Sequence, residues 1–181
     1  LLWCLEQEDR YELVEGVPVL RDVTPTGQAG ASSRHDTIVV NAILALGQQL
    51  EGKPCRVATG DIAVRTRIDG THRPDLHVIC DPVTDKDYEA RDVKLIVDVL
   101  SPSNKGVAWQ AKLDEYFRRD GLEYLLLIEQ EPISVMLYVR DGTAWAEPAQ
   151  YRRDDDAIDL PRIGCSLSPA QIYRDVPRLS A

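Results

Sequence analysis

Residues 94–103, KLIVDVLSPS, place a carboxylate inside a buried-strand pattern. Asp98 interrupts the apolar run from Leu95 to Leu100, and such near-continuous runs are typical of a strand covered on both faces. Burying an unpaired carboxylate costs on the order of several kcal/mol. The stretch therefore predicts a central strand in which Asp98 meets a compensating positive charge.

The residues that follow this strand predict a helix. Pro102 suits a first helical turn and Ser101 or Ser103 suits its cap, so we expect a helix from about Lys105 to Asp120. Its apolar stripe repeats at i, i+4, i+7 and i+8, at Trp109, Leu113, Tyr116 and Phe117.

This predicted helix carries a lysine beside its apolar stripe. Lys112 lies three residues after Trp109 and four before Tyr116, which places it on the face that packs against the sheet. A lysine on an inward face needs an anionic partner, and the preceding strand offers Asp98. We therefore expect Lys112 and Asp98 to lie close together.

A second carboxylate, Asp75, follows Pro74 at the start of another predicted strand. Two carboxylates about 4 Å apart repel each other by roughly 4 kcal/mol at an effective dielectric constant near 20. A divalent metal ion removes this repulsion, and Mg²⁺ prefers oxygen ligands. The pair Asp75 and Asp98 therefore predicts a site for Mg²⁺ or Mn²⁺.

The remaining chain alternates helical and strand patterns, which predicts an α/β fold with a mixed sheet covered on both faces. YELV and VPVL predict a hairpin that turns at Glu15-Gly16. A long helix is expected after Ser32 or Ser33 and a short one after Ser168-Pro169. Further strands are expected at CRVAT, IAVRTRI, Leu76–Cys80, LEYLLLI and ISVMLYV.

The composition indicates one domain over residues 1–181, with 44% hydrophobic and 28% charged residues. No apolar run approaches the roughly 18 to 20 residues that span a bilayer. The N-terminal LLWCLEQEDR lacks a secretory signal, so we expect a cytoplasmic protein with no membrane contact. The net charge of −9 argues against a nucleic-acid partner unless a metal ion reverses the local field.

The four cysteines are far apart in the sequence: Cys4, Cys55, Cys80 and Cys165. They form no C-x-x-C pair, which argues against zinc binding and a thioredoxin-like motif. We expect reduced, buried thiols.

The ordered motifs resemble those of a known nuclease family. Pro74-Asp75, Asp98 and a following lysine resemble the PD-(D/E)XK nuclease signature. From about Tyr11 to Tyr173, the chain is similar to the Uma-two type "putative restriction endonuclease" family in the order and spacing of RYELVEG, RPDLHVI, LIVDVLSPSN, KLDEY and GLEYLLLI. The resemblance implies a restriction-endonuclease-like mixed β-sheet flanked by helices, with N-terminal and C-terminal β-hairpin additions. It also implies a Mg²⁺- or Mn²⁺-dependent endonuclease acting on DNA.

Carried over by position, the resemblance implies metal binding by Asp75 and Asp98 and catalysis by Lys112. Glu12 matches the glutamate of the family's YEL segment. The resemblance therefore implies that Glu12 belongs to the same catalytic site, where it can complete the metal site. Two positions depart from the family pattern. Asp98 stands where the family usually has Glu, which shortens its reach by one methylene, and Ala108 stands where members often carry Asp.

Each site residue also has a structural interpretation. Asp98 would accept hydrogen bonds from backbone amides, Asp75 would cap the turn after Pro74, and the Lys112 stem would extend to solvent. Glu12 taken alone is an exposed strand residue. Among the histidines, His35 would lie on a helix face or at the edge of the site. His72 and His77 would form a metal cluster with Asp75, since alternate strand residues share a face.

Two further functions compete with a nuclease. The acidic charge, Asp98 and Ala108 also suit a non-catalytic member of the fold that binds DNA or protein. A metal-dependent hydrolase of a small phosphoester would use His72 or His77. Because cutting both DNA strands commonly requires two sites, we expect a homodimer, with twofold symmetry as the default.

Overall fold

A mixed β-sheet forms the centre of the fold. The structure is a computed structural model, which describes residues 11–14, 16–20, 32–67, 70–84, 88–101 and 107–177. The strands are β1 (Tyr11–Val14), β2 (Val17–Leu20), β3 (Arg56–Thr59), β4 (Ala63–Arg67), β5 (Gly70–His72), β6 (Leu76–Ile79), β7 (Glu89–Ala90), β8 (Val93–Leu100), β9 (Tyr124–Glu129), β10 (Val135–Asp141), β11 (Ala144–Trp145), β12 (Ala149–Tyr151), β13 (Ile158–Leu160) and β14 (Cys165–Leu167). The helices are α1 (Ser33–Leu50), α2 (Val107–Arg118) and α3 (Pro169–Ile172), with a 3-10 turn at Pro161–Ile163.

The central sheet has the order β11-β10-β9-β8-β6-β3, and β12 also pairs with β10. Strand β8 pairs antiparallel with β6 and parallel with β9. A parallel pair needs a crossover connection, and α2 lies in the segment that joins β8 to β9. A smaller sheet has the order β2-β1-β5-β4-β7. With the hairpins β1-β2 and β13-β14 near the two ends of the described chain, the predicted fold class is confirmed.

Both faces of β8 are buried, as its apolar run predicts. One face carries Leu95 and Val97 into a core that includes Ile38 and Leu46 of α1. The other face carries Ile96 into a second core with Tyr116 of α2. Asp98 lies on this strand and is only 4% exposed. The cost of burying its carboxylate therefore has to be met by local partners.

Helix boundaries follow the predicted caps. The Ser32 side chain accepts a hydrogen bond from the His35 N–H at 3.2 Å and caps α1. Ser168 and Gln171 form a capping box at α3, with Pro169 at its first position. Gly121 follows α2 with a φ of 74°, a left-handed conformation that glycine adopts without strain. In the ranges that the structure describes, no helix is both long and apolar enough to cross a membrane.

Some sequence predictions fall on residues that the structure does not describe. They concern the first residues of the chain, one turn position and the start of the helix after β8. The residues are those of the fragment 1–7, Glu15, Pro102, Ser103 and Lys105.

A disulfide joins Cys55 to Cys80, so the prediction of reduced thiols is wrong for this pair. Arg56 of β3 pairs with Ile79 of β6, and the antiparallel register therefore places the flanking cysteines opposite each other. Local motif spacing cannot indicate this, because the two cysteines are 25 residues apart. Cys165 is a free, buried thiol as predicted, and Cys4 lies outside the described residues.

Candidate active site

Asp75 and Asp98 lie side by side on neighbouring strands. Leu76 of β6 pairs with Val97 of β8, so the antiparallel register places Asp75, just before β6, opposite Asp98. The Asp75 N–H lies 3.3 Å from Asp98 Oδ1, and Asp75 Oδ2 accepts a hydrogen bond from the Val99 N–H at 2.8 Å. The carboxylate of Asp75 thus bonds to β8 rather than capping the turn after Pro74.

Lys112 reaches this pair from α2. Its Nζ lies 3.7 Å from Asp98 Oδ2 and 3.1 Å from Glu12 Oε1. The rings of Trp109 and Tyr116 flank the ammonium, each with its centroid 5.7 Å away. The side chain is 12% exposed, so the lysine does not extend into solvent. The structure therefore brings Lys112 and Asp98 together as the helical spacing predicts.

Glu12 enters the site from β1. It is 8% exposed, so its interpretation as an exposed strand residue is wrong. Glu12 Oε1 accepts hydrogen bonds from the Arg73 N–H at 2.8 Å and from Lys112 Nζ. Burial alone raises the pKa of Glu12, but Lys112, His72 and the Arg73 amide together hold this pKa well below its usual value. Glu12 is therefore an anion that stabilises the charged form of Lys112.

His35 lies at the edge of the site. Ser32 caps α1, and the first helical turn directs His35 towards the start of β6. Its Nε2 lies 3.2 Å from Asp75 Oδ2, and its side chain is 15% exposed. His35 thus contacts the Asp75 carboxylate and is itself partly exposed to solvent.

The structure adds Glu115, which the sequence analysis did not identify. Glu115 is 2% exposed, and its Oε2 lies 2.8 Å from His72 Nε2. The other ring nitrogen of His72, Nδ1, lies 3.6 Å from Glu12 Oε2. A signal for Glu115 was available, because it follows Lys112 by three residues and so shares its helix face.

The two histidines that flank Asp75 in the sequence do not form a common cluster with it. His72 lies between Glu12 and Glu115, whereas His77 pairs across the sheet with Ile96 and Ala58. Asp75 lies at a bend just before β6 and contacts Val99 and His35, whereas both ring nitrogens of His77 lack a hydrogen-bond partner among the described residues. The predicted histidine metal cluster is therefore not assembled.

His77 is completely buried, and both of its ring nitrogens lack a hydrogen-bond partner in the described part of the chain. Burial, followed by the charges of Arg119 and Arg56, lowers its pKa from 6.5 to about 4. The unfolded chain therefore binds a proton between these two pH values that the folded chain does not. The stability that depends on a neutral His77 is therefore fully present above pH 6.5. It is lost as the pH falls towards 4, by about 3 kcal/mol in total.

We expect His77→Leu to raise the free energy of unfolding by about 1 to 3 kcal/mol at pH 7, because it removes buried polar atoms without partners. The gain should increase as the pH falls from 6.5 towards 4, which urea unfolding at several pH values would measure. His77→Gln keeps polar atoms in the same place and should give no gain at pH 7, although it shares the gain at lower pH because it also removes the titrating ring. An equal loss of stability in both variants would contradict this account.

The residues present fit a metal ion held by two carboxylates. In the described ranges, no three His, Cys, Asp or Glu side chains lie close enough to hold a metal ion by themselves. Mg²⁺ is commonly bound by one or two carboxylates, with water and substrate phosphate as its other ligands. Asp75 and Asp98 supply that number of oxygen ligands in adjacent positions.

Negative charge dominates the side chains linked by these contacts. These contacts link four carboxylates with one lysine and two histidines. The sum of their formal charges is negative even when both histidines are counted as protonated. The carboxylates are Glu12, Asp75, Asp98 and Glu115. A divalent cation would offset this charge, which a lysine alone does not.

Comparisons with known proteins agree with this architecture. The Uma2 family model, described as "Putative restriction endonuclease", matches residues 1–170. The "Uncharacterized protein slr1290" of Synechocystis sp. (strain ATCC 27184 / PCC 6803 / Kazusa) is 26% identical over 176 residues, which are 96% of this chain and 88% of that protein. A crystal structure of a "putative nuclease belonging to DUF820" from Anabaena variabilis ATCC 29413 has a TM-score of 0.72, with 15% identity over 93% of this chain and 92% of that one. At this identity, the likeness shows the fold.

Proposed function

The chain belongs to the Uma2 ("Putative restriction endonuclease") family, and from this membership we propose that it is a divalent-metal-dependent endonuclease that hydrolyses phosphodiester bonds of DNA. Asp75 and Asp98 would hold Mg²⁺ or Mn²⁺, and Lys112 would act at the reacting phosphate. Glu12 would keep Lys112 charged and in place.

The observation that carries this proposal is the convergence of Asp75, Asp98, Glu12 and Lys112 from four separate elements. The Lys112 ammonium lies within 3.7 Å of two carboxylates, and Asp75 lies beside one of them. Burying these charges together is costly, and folds tend to assemble such clusters at functional sites. The family membership and the charge pattern point to the same chemistry.

A bound metal ion would polarise the phosphate and lower the pKa of a coordinated water. Hydrolysis forms a bond from the water oxygen to phosphorus and breaks the bond to the leaving ester oxygen, while a proton passes from the water to that oxygen. Lys112 would orient the attacking water and stabilise the negative charge that develops on the phosphate. Because its pKa is held below the usual value, Glu12 is a weaker base than an ordinary glutamate, which favours a role in positioning Lys112.

DNA is a compatible substrate despite the net charge of −9. The carboxylates of the site repel phosphate until a cation binds, and the cation then reverses the local field. DNA binding should therefore depend on the metal ion. Cleavage of both strands by one kind of site requires two copies, so the proposal includes a homodimer.

We expect the purified protein to nick or linearise supercoiled plasmid DNA when Mn²⁺ or Mg²⁺ is supplied, and to stop when EDTA removes the metal. Agarose gel electrophoresis would measure the products, with single-stranded DNA and RNA as parallel substrates. Glu147→Gln, which removes an exposed carboxylate that takes part in none of the described site contacts, provides a control.

Two results would contradict the proposal. In the first, supercoiled and single-stranded DNA stay intact with Mn²⁺, and Asp75→Ala changes neither cleavage nor the metal affinity measured by calorimetry. In the second, the protein binds DNA specifically but binds no divalent metal, which would identify a non-catalytic binding module.

A further inference from the structure

A second group of buried and half-buried polar residues lies next to the Lys112 site. It consists of His72 on β5, Glu115 on α2 and Thr66 on β4. His72 is completely buried and Glu115 is 2% exposed, so neither side chain is placed to contact a DNA backbone. The group nevertheless touches the site through Glu12.

We propose that Glu115 and His72 are positioning residues, which hold Glu12 and through it Lys112 in the geometry that cleavage requires. This inference rests on the proposed nuclease function. The contacts run in one line, from Glu115 to His72 at 2.8 Å, from His72 to Glu12 at 3.6 Å, and from Glu12 to Lys112 at 3.1 Å.

The chain around Glu115 fixes its carboxylate. Thr66 Oγ1 donates a hydrogen bond to Glu115 Oε2 at 2.6 Å, and the same oxygen faces His72 Nε2. Residue 70 is a glycine, and a Cβ there would overlap Glu115 Oε2 and lie 2.6 Å from Thr66 Oγ1. A side chain at residue 70 would therefore displace this carboxylate and the Thr66 hydroxyl.

The fixed carboxylate determines how the His72 ring is used. Ionised carboxylates only accept hydrogen bonds, so a His72 ring that holds both Glu115 and Glu12 carries a proton on each of its two nitrogens. The Tyr116 ring meets His72 edge-on, with centroids 5.3 Å apart, and restricts its rotation. His72 Nδ1 is thereby directed at Glu12 Oε2, while Glu12 Oε1 holds Lys112. Residues that orient catalytic groups in this way are often needed for full activity.

Kinetics of Glu115 variants test this role. We expect Glu115→Leu to lower kcat for DNA cleavage by about 10- to 100-fold, with KM and Mn²⁺ affinity changed less than about twofold, since its described hydrogen bonds go to His72 and Thr66. Glu115→Gln keeps an acceptor oxygen for His72 and Thr66, and should restore kcat to within about threefold of the natural protein. The exposed variant Glu147→Gln is the matched control.

Nuclear magnetic resonance supplies a readout that does not depend on activity. The chain has only three histidines, so a long-range ¹H–¹⁵N spectrum resolves every ring. We expect both His72 ring nitrogens to be protonated in the natural protein, and Nε2 to remain protonated in Glu115→Gln. In Glu115→Leu, Nε2 should lose its proton, while Nδ1, which faces Glu12, should keep its own. If Glu115→Leu does not fold, Thr66→Val takes its place in the experiment. We expect Thr66→Val to shift the His72 Nε2 resonance and to lower kcat by less than the factor expected for Glu115→Leu.

The outcomes separate the two proposals. An unprotonated Nε2 or Nδ1 of His72 in the natural protein, or a Glu115→Leu variant with unchanged kcat and an unchanged His72 spectrum, would overturn the positioning role. A natural protein that never cleaves DNA but shows the predicted His72 spectra would instead contradict the nuclease proposal while leaving the contacts intact.

Discussion

Asp98→Asn is expected to lower kcat for metal-dependent DNA cleavage by about 10²- to 10³-fold. Asparagine keeps the shape of the side chain and an acceptor for the Asp75 N–H, but it removes the charge that would hold the metal ion. Affinity for Mn²⁺, measured by calorimetry, should fall with the activity. Asp75→Asn should have the same effect, because the two carboxylates supply the metal ligands together.

Two comparisons make this experiment specific. Asp159→Asn removes an exposed carboxylate on β13 and should leave kcat and Mn²⁺ affinity unchanged. Asp98→Glu restores the residue that the family usually has, and should keep metal binding and cleavage. If Asp98→Asn cut DNA as fast as the natural protein, with the same Mn²⁺ affinity, Asp98 would be a structural carboxylate only.

Lys112→Met is expected to have the second large effect, because it removes the cation between two buried carboxylates. Breaking a buried ion pair by removing one partner costs about 3 to 5 kcal/mol of stability. Loss of the group that orients the attacking water should also lower kcat by about 10²- to 10⁴-fold. Urea unfolding at pH 7 and a plasmid cleavage assay would measure the two losses separately.

The stability loss in Lys112→Met should depend on pH. In the natural protein the pKa of Glu12 lies below its usual value of 4.5, so the ionised carboxylate stabilises the fold above that pH and less as the pH falls. Without Lys112, burial of Glu12 favours its protonated form. The difference between the variant and the natural protein should therefore shrink as the pH is lowered from 7 to 4.5.

A control for this variant is Lys94→Met on β8. Lys94 pairs with Asp92, and their side chains are 27% and 45% exposed, so the loss should be only about 0 to 1 kcal/mol. Unchanged stability and unchanged kcat in Lys112→Met would contradict the central role given to this lysine.

The contact between Asp98 and Lys112 was predictable because each residue departs from a regular local pattern. A carboxylate in a doubly buried strand needs a partner, and a lysine on the apolar face of the next helix is the nearest candidate. The helix caps at Ser32 and Ser168 and the turn at Gly121 follow from equally local rules. Pro74 marks the start of β6, which explains why Asp75 was also found.

Glu12 and His72 could not be placed in this way. Glu12 lies 100 residues from Lys112 along the chain, and Arg73, whose amide binds it, is 61 residues away. The alternation of β1 gives no sign that Glu12 is buried, since its cover comes from β5 and α2. Only the resemblance to a known family pointed to Glu12, and nothing pointed to His72 as its neighbour.

The sequence by itself determined the three helices, the longer strands, the doubly covered central strand and the pairing of Asp98 with Lys112. These features depend on hydrophobic periodicity and on residues close together in the chain. The tertiary structure alone decided the disulfide between Cys55 and Cys80, the burial of Glu12 and the line of contacts through His72 and Glu115. The physical reason is that strand register and sheet packing set these contacts, and both arise between segments that no local pattern connects.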